Sequence, residues 1–93
     1  MTKTVAVRFA VMQDGTSINV YHAHKGEGLP SHDHPYSHLT MCHAGSIIVR
    51  KEGRELVMTQ DTQPVNLIAN EWHEIEALED NTVFVNVFAE GKY

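Results

Sequence analysis

An all-β fold, a jelly roll closed as a sandwich or barrel, is what the sequence predicts, on three observations. Short apolar runs rich in β-branched residues recur along the whole chain. Turn residues separate them at roughly the 8–12-residue spacing of sandwiches and barrels. The one segment rich in helix formers, Glu71 to Asp80, would be a helix standing alone, with no second helix to pack against.

The elements follow in order. Val5 to Val11 is valine-rich and leads into Gln13-Asp14-Gly15, where Asp-Gly is a strong hairpin signal. Ser17 to His24 comes next, then the glycine-bearing turn Lys25-Gly26-Glu27-Gly28. A histidine-rich stretch precedes Leu39 to Ala44, Gly45, and Ser46 to Lys51, which ends at the turn Glu52-Gly53-Arg54. Leu56 to Thr59, Pro64 to Ile68, Trp72 to Ala77 and Thr82 to Ala89 complete the series, with Glu79-Asp80-Asn81 between the last two. Trp72 to Ala77 is read as a strand because it is short.

The 93 residues form one domain, 1–93, able to bury a single modest core. Hydrophobic residues at 42% and charged ones at 20% are ordinary globular values, which excludes a disordered chain. Seven basic against twelve acidic residues leave a net charge of −5, which argues against nucleic acid or an anionic membrane as partner. Cys42, the single cysteine, excludes an intrachain disulfide and suits a reducing cytosol. The first fifteen residues lack the apolar core of a signal peptide, and no apolar run approaches the ~20 residues that span a bilayer. A cytoplasmic domain is expected.

Seven histidines are the compositional oddity, and three of them fall in His32-Asp33-His34-Pro35-Tyr36-Ser37-His38. On a strand, His32 and His34 point the same way, about 6.6 Å apart. A bend at Pro35-Tyr36-Ser37 lets His38 return on the neighbouring segment, so three imidazoles can converge on one point. Four nitrogen donors close the shell of one ion, whereas three leave room for water or substrate. Three exposed polar side chains in a loop are the plainer alternative, and the spacing after a glycine turn favours metal over it.

The stretch resembles the first motif of the cupin superfamily: Gly, five residues, His-x-His, three or four residues, Glu, six residues, Gly. Gly26, His32, His34, His38 and Gly45 stand at those intervals, with His38 where the motif carries glutamate. The family's second motif, Pro-x-Gly-x-x-His, is similar to Ile68-Ala69-Asn70-Glu71-Trp72-His73. There the histidine is kept, Ile68 replaces proline, and Asn70 replaces glycine, a mild exchange at a left-handed turn. The family's later Asn position falls on Ala77.

The resemblance implies a double-stranded β-helix, the cupin jelly-roll barrel, holding one divalent transition metal per chain on His32, His34, His38 and His73. Iron, nickel, zinc, copper and cobalt all suit imidazole. Four neutral donors leave the ion its full charge, as in the all-histidine sites of cupins such as cysteine dioxygenase and acetylacetone dioxygenase, which use three histidines. A metal-dependent oxygenase acting on a small organic molecule is the leading expectation. A non-catalytic metal-binding or small-molecule-binding cupin is the alternative, and a sugar isomerase or lyase the third. A homodimer is expected, with Trp72, Leu39 and Met41 as candidate contacts.

Strand alternation from His38 places Thr40, Cys42 and Ala44 inward and Leu39, Met41 and His43 outward. From His73 it places Ile75 and Ala77 inward, with Trp72, Glu74 and Glu76 outward. Asp33 lies opposite the ligand pair, so the neighbouring carboxylates all point away and Glu55 is the exception left open. This disfavours mechanisms that need a carboxylate base at the ion, as sugar isomerases usually do. Cys42, about 13 Å from His38 along the strand, reads as a small buried thiol. His22 and His24 read as polar groups on a half-exposed face, with a second metal role as the alternative. Tyr36 is the candidate catalytic residue, closing over the site as a donor or stack, or else a plain turn aromatic. Arg50 binds an anionic substrate if it points inward and is otherwise a solvated strand-end residue.

Overall fold

The computed structural model describes residues 3–13, 16–32, 37–51, 53–68 and 71–89. The described residues form ten strands: β1 (Lys3–Thr4), β2 (Phe9–Gln13), β3 (Thr16–Ala23), β4 (Glu27–His32), β5 (His38–Ala44), β6 (Ser46–Lys51), β7 (Arg54–Thr59), β8 (Val65–Leu67), β9 (His73–Ala77) and β10 (Thr82–Ala89). They form two five-stranded sheets, ordered β1-β4-β9-β6-β7 and β2-β3-β10-β5-β8. Among the described residues no helix is long and apolar enough to cross a membrane.

The sheets face each other because their central strands, β3, β5 and β9 among them, alternate inward with outward residues. β3 alternates half-buried and buried positions along its whole length, and β9 is buried at His73, Ile75 and Ala77 with Glu74 and Glu76 between. That two-residue period makes 73–77 a strand despite its helix-forming composition. Ile47, Val49, Ile75 and Ala77 from one sheet meet Tyr21, Cys42, Leu67 and Phe84 from the other in one core. Phe84 stacks on its register partner Tyr21 with ring centroids 4.8 Å apart.

Two hairpins follow the turn chemistry. Gln13 pairs with Thr16 across Asp14-Gly15, residues that themselves lie outside the described set. Lys51 pairs with Arg54, with Gly53 at φ +70°. Gly45 carries the chain from β5 in one sheet to β6 in the other at φ +75°, a region that favours glycine.

The expected strand over Val5 to Val11 is corrected. The Val5 amide bonds Gly28 of one sheet and the Arg8 amide bonds Val20 of the other, so the chain crosses between sheets over residues 6–7. A valine-rich run reports pleated, half-buried surface but not which sheet the backbone joins.

Candidate metal centre

His73 opens β9, between β4 and β6. β4 pairs with β9 at Gly28↔Glu76 and Leu29↔Ile75, then steps by one residue so that His32, not Ser31, lies opposite His73. Pro30, which has no N–H to donate, lies in this irregular stretch, as proline in a sheet usually does. The step matters because directly opposed positions of an antiparallel pair share a face.

His38 opens β5 in the other sheet, where its register partners are Leu67 and Phe88. Its ring lies 4.6 Å from that of Phe88 and 5.4 Å from that of His73, the latter at 73°. His73 is fully buried and His38 is 4% exposed. Two imidazoles therefore meet in the interior, one from each sheet. His73 Nδ1 lies 3.1 Å from the Glu71 carbonyl oxygen, which can only accept, so that nitrogen carries the proton. In the neutral ring the lone pair then belongs to Nε2, which is itself buried. A buried imidazole of defined tautomer is the donor a transition metal requires, so His38 and His73 fit the expected ion.

The other expected ligands stand differently. Only the backbone of His32 is described, and His34, Tyr36 and Asp33 lie outside the described residues, as does Asn70 of the second motif. Among the described residues no group of three or more histidine, cysteine or acidic side chains is arranged to hold a metal.

From His38 to His43 the inward and outward faces fall as strand alternation requires, whereas Ala44, expected inward, is half-buried beyond a register shift. Thr40 and Cys42 are buried with His38, Leu39 and His43 are exposed, and Met41 is half-buried. The Cys42 thiol donates to the Ala44 carbonyl at 3.4 Å, and burial pushes its pKa up, as befits an inert core thiol. His22 and His24 contact edge to face at 5.5 Å. His22 pairs with Val83 on β10 while His38 pairs with Phe88, so the two sites stand about 17 Å apart along that strand.

Arg50 is neither an inward anion receptor nor a solvated strand end. Its Nη1 donates to Glu76 at 2.8 Å and Glu74 at 3.3 Å, and its Nε to Glu55 at 3.3 Å. Hydrogen bonding to Glu76, opposed by burial and aided by both charges, raises the guanidinium pKa further. Glu55 is thereby removed as an interior base. The buried polar residues among those described are Ser17, Asn19, His38, Thr40, Ser46, His73, Thr82 and Asn86, with no carboxylate in the set.

Asn19, Asn86 and Ser17 are the site neighbours that sequence reasoning missed. Asparagine is depleted in strands, so one at an inward position of a valine-rich run was the available signal. Thr40 Oγ1 donates to Asn86 Oδ1 at 2.7 Å and Ser17 Oγ to Asn19 Oδ1 at 2.9 Å.

No family model and no curated protein matches the chain. Solved structures do. A double-stranded β-helix protein from Klebsiella pneumoniae is 22% identical, with TM-score 0.73, covering 92% of this chain and 77% of its own. A cupin-2 domain protein from Shewanella frigidimarina superposes with TM-score 0.76 at 7% identity, covering 96% and 84%.

The chain has the cupin fold.

KdgF from a Halomonas species shares it as well, with TM-score 0.79 at 14% identity over 88% of this chain and 76% of that one. In cupin terms, the glycines at 26 and 45 both take positive φ, at +87° and +75°, so the first motif's glycine positions are backbone requirements here.

Proposed function

We propose that this cupin binds one divalent transition metal per chain on His32, His34, His38 and His73, and that it is a metal-dependent oxygenase acting on a small organic molecule. The observation that carries the reading is the buried contact between His38 and His73, one from each sheet. When bound, such an ion supplies a Lewis-acid centre that activates substrate or dioxygen. The chain's own part is to hold neutral imidazoles in place: the Glu71 carbonyl orients His73, and Phe88 flanks His38. Among the described residues the interior polar set offers hydroxyls, amides and imidazoles but no carboxylate, which suits chemistry at the ion better than the carboxylate-driven proton transfers of a sugar isomerase or lyase.

The non-catalytic binding cupin is the second reading, favoured by the same lack of a buried carboxylate among the described residues. Elemental analysis of freshly purified protein, followed by oxygen-uptake assays with iron restored and small thiols, diketones and catechols as substrates, tests the pair. Metal at one equivalent with substrate-dependent uptake supports the oxygenase. Bound metal without uptake supports the metal-binding module, and no metal after reconstitution overturns both metal-dependent readings.

The cytoplasm is the proposed location. A homodimer is proposed through the outer face of the β2-β3-β10-β5-β8 sheet. Leu39 and Met41 there pair with Val87 and Val85, which pair in turn with Ile18 and Val20. Trp72 precedes β9 of the other sheet and is half-buried, so it lies apart from this apolar stripe.

A further inference from the structure

We propose that Asn86 and Thr40 are positioning residues that decide which nitrogen of His38 is offered to the candidate metal centre; this rests on the metal-binding reading above. The Thr40 hydroxyl has one hydrogen, and it is committed to Asn86 Oδ1 at 2.7 Å. Towards His38 Nδ1, 3.2 Å away, Thr40 Oγ1 can therefore only accept. The same nitrogen also lies 3.4 Å from the Leu39 carbonyl, again an acceptor. Both contacts require the proton on Nδ1, which assigns the lone pair of the neutral ring to Nε2.

The relay is built into the sheet. Asn86 sits in β10 with Asn19 as its register partner on one side and Thr40 on the other, and Ser17 donates to Asn19. Ser17, Asn19, Thr40 and Asn86 are at most 1% exposed, so the row runs through the interior. Apolar residues would fill that space without the cost of burying polar groups. What the polar row adds is direction: Asn86 fixes the rotation of the Thr40 hydroxyl, and Thr40 fixes the tautomer of His38. His73 differs, because a main-chain carbonyl orients it and no side-chain substitution along this row removes that acceptor. It is an internal control.

Long-range nitrogen–proton correlation spectra of the metal-free protein read each ring's tautomer, and calorimetry with zinc reads affinity. In wild type, His38 and His73 are both expected to be protonated on Nδ1. Thr40→Ser keeps the spectrum and the affinity. Thr40→Val removes an acceptor, giving His38 a mixed tautomer signal and about 10–100-fold weaker zinc binding, the usual cost of losing such a partner. Asn86→Leu frees the Thr40 hydroxyl to donate to Nδ1, which moves the His38 proton towards Nε2. In each variant His73 stays unchanged. A wild-type His38 protonated on Nε2, or a tautomer indifferent to both Thr40→Val and Asn86→Leu, overturns the relay. The wild-type and Thr40→Ser spectra decide the assignment even if the larger substitutions do not fold. Failure of wild type to bind zinc overturns the metal reading alone, since the tautomers are read without metal.

Discussion

The rings of His38 and His73 meet at 5.4 Å across the two sheets, so two sequence motifs share one interior point. His38→Ala removes an imidazole from that point and should weaken zinc binding more than the ~10–100-fold cost of losing an outer partner. His38→Glu introduces the carboxylate that the cupin motif carries at this interval, keeps binding, and lowers the reduction potential of bound iron because one negative charge joins its shell. Calorimetry and electrochemistry on the three proteins check both. Zinc binding in wild type should also fade as the pH falls, because protons compete with the metal for the imidazole nitrogens.

Cys42 is expected to resist alkylation at pH 8 in the native state and to react readily in denaturant. Burial raises its thiol pKa, so the reactive thiolate is scarcer than in an open chain. The same shift has a stability consequence. The folded thiol holds its proton more tightly, so its contribution is complete below the ordinary thiol value of ~8.5 and is lost as pH rises through the raised one. Urea midpoints above pH 9 should fall more steeply for wild type than for Cys42→Ala.

Arg50→Met leaves Glu74 and Glu76 as neighbouring like charges on β9, without the guanidinium that joined them. Partly exposed pairs are each worth at most ~1 kcal/mol, and a shared cation adds to this, so a loss of about 1–2 kcal/mol is expected. Urea unfolding at low and high salt measures it, and the difference should shrink in salt.

Gly45→Ala places a Cβ 2.5 Å from the Thr82 hydroxyl at φ +75°. A destabilisation of about 2 kcal/mol or more follows, visible as a lower melting temperature. Gly53→Asn, at φ +70° with open space around it, should change stability little.

Leu39 is 41% exposed at one edge of the apolar stripe on β5, β10 and β3. If two copies join there, Leu39→Lys buries an unpaired charge, costing at least ~2 kcal/mol or roughly 30-fold in dimer Kd. Sedimentation at micromolar concentration should show wild type as two chains and the variant as one.

Much of the barrel was legible because it rests on two-residue alternation and on turn chemistry. Trp72 to Ala77 and Thr82 to Ala89 carry the first, and Glu52-Gly53 the second. That His38 and His73 face the interior was legible from strand alternation and motif spacing. The crossing between sheets at residues 6–7 was not, because valine runs look alike whichever sheet they join. Arg50 was misjudged because its partners Glu74 and Glu76 come from a strand far along the chain, and cross-strand neighbours follow register. Asn86 in its valine-rich run and Asn19 in a mixed one were hidden for the same reason, until the β3–β10 register sets them side by side.

The one-residue step between Leu29 and His32 separates chain length from placement. On an unbroken ladder, the residue one place earlier would stand opposite His73. A cousin of this chain lacking one residue in that segment could therefore dispense with the step and still set its histidine there. What inheritance must preserve between Gly26 and His32 is parity with β9 rather than a fixed count of five intervening residues. A search template that insists on the count would pass over working relatives, whereas one that scores pairing would find them.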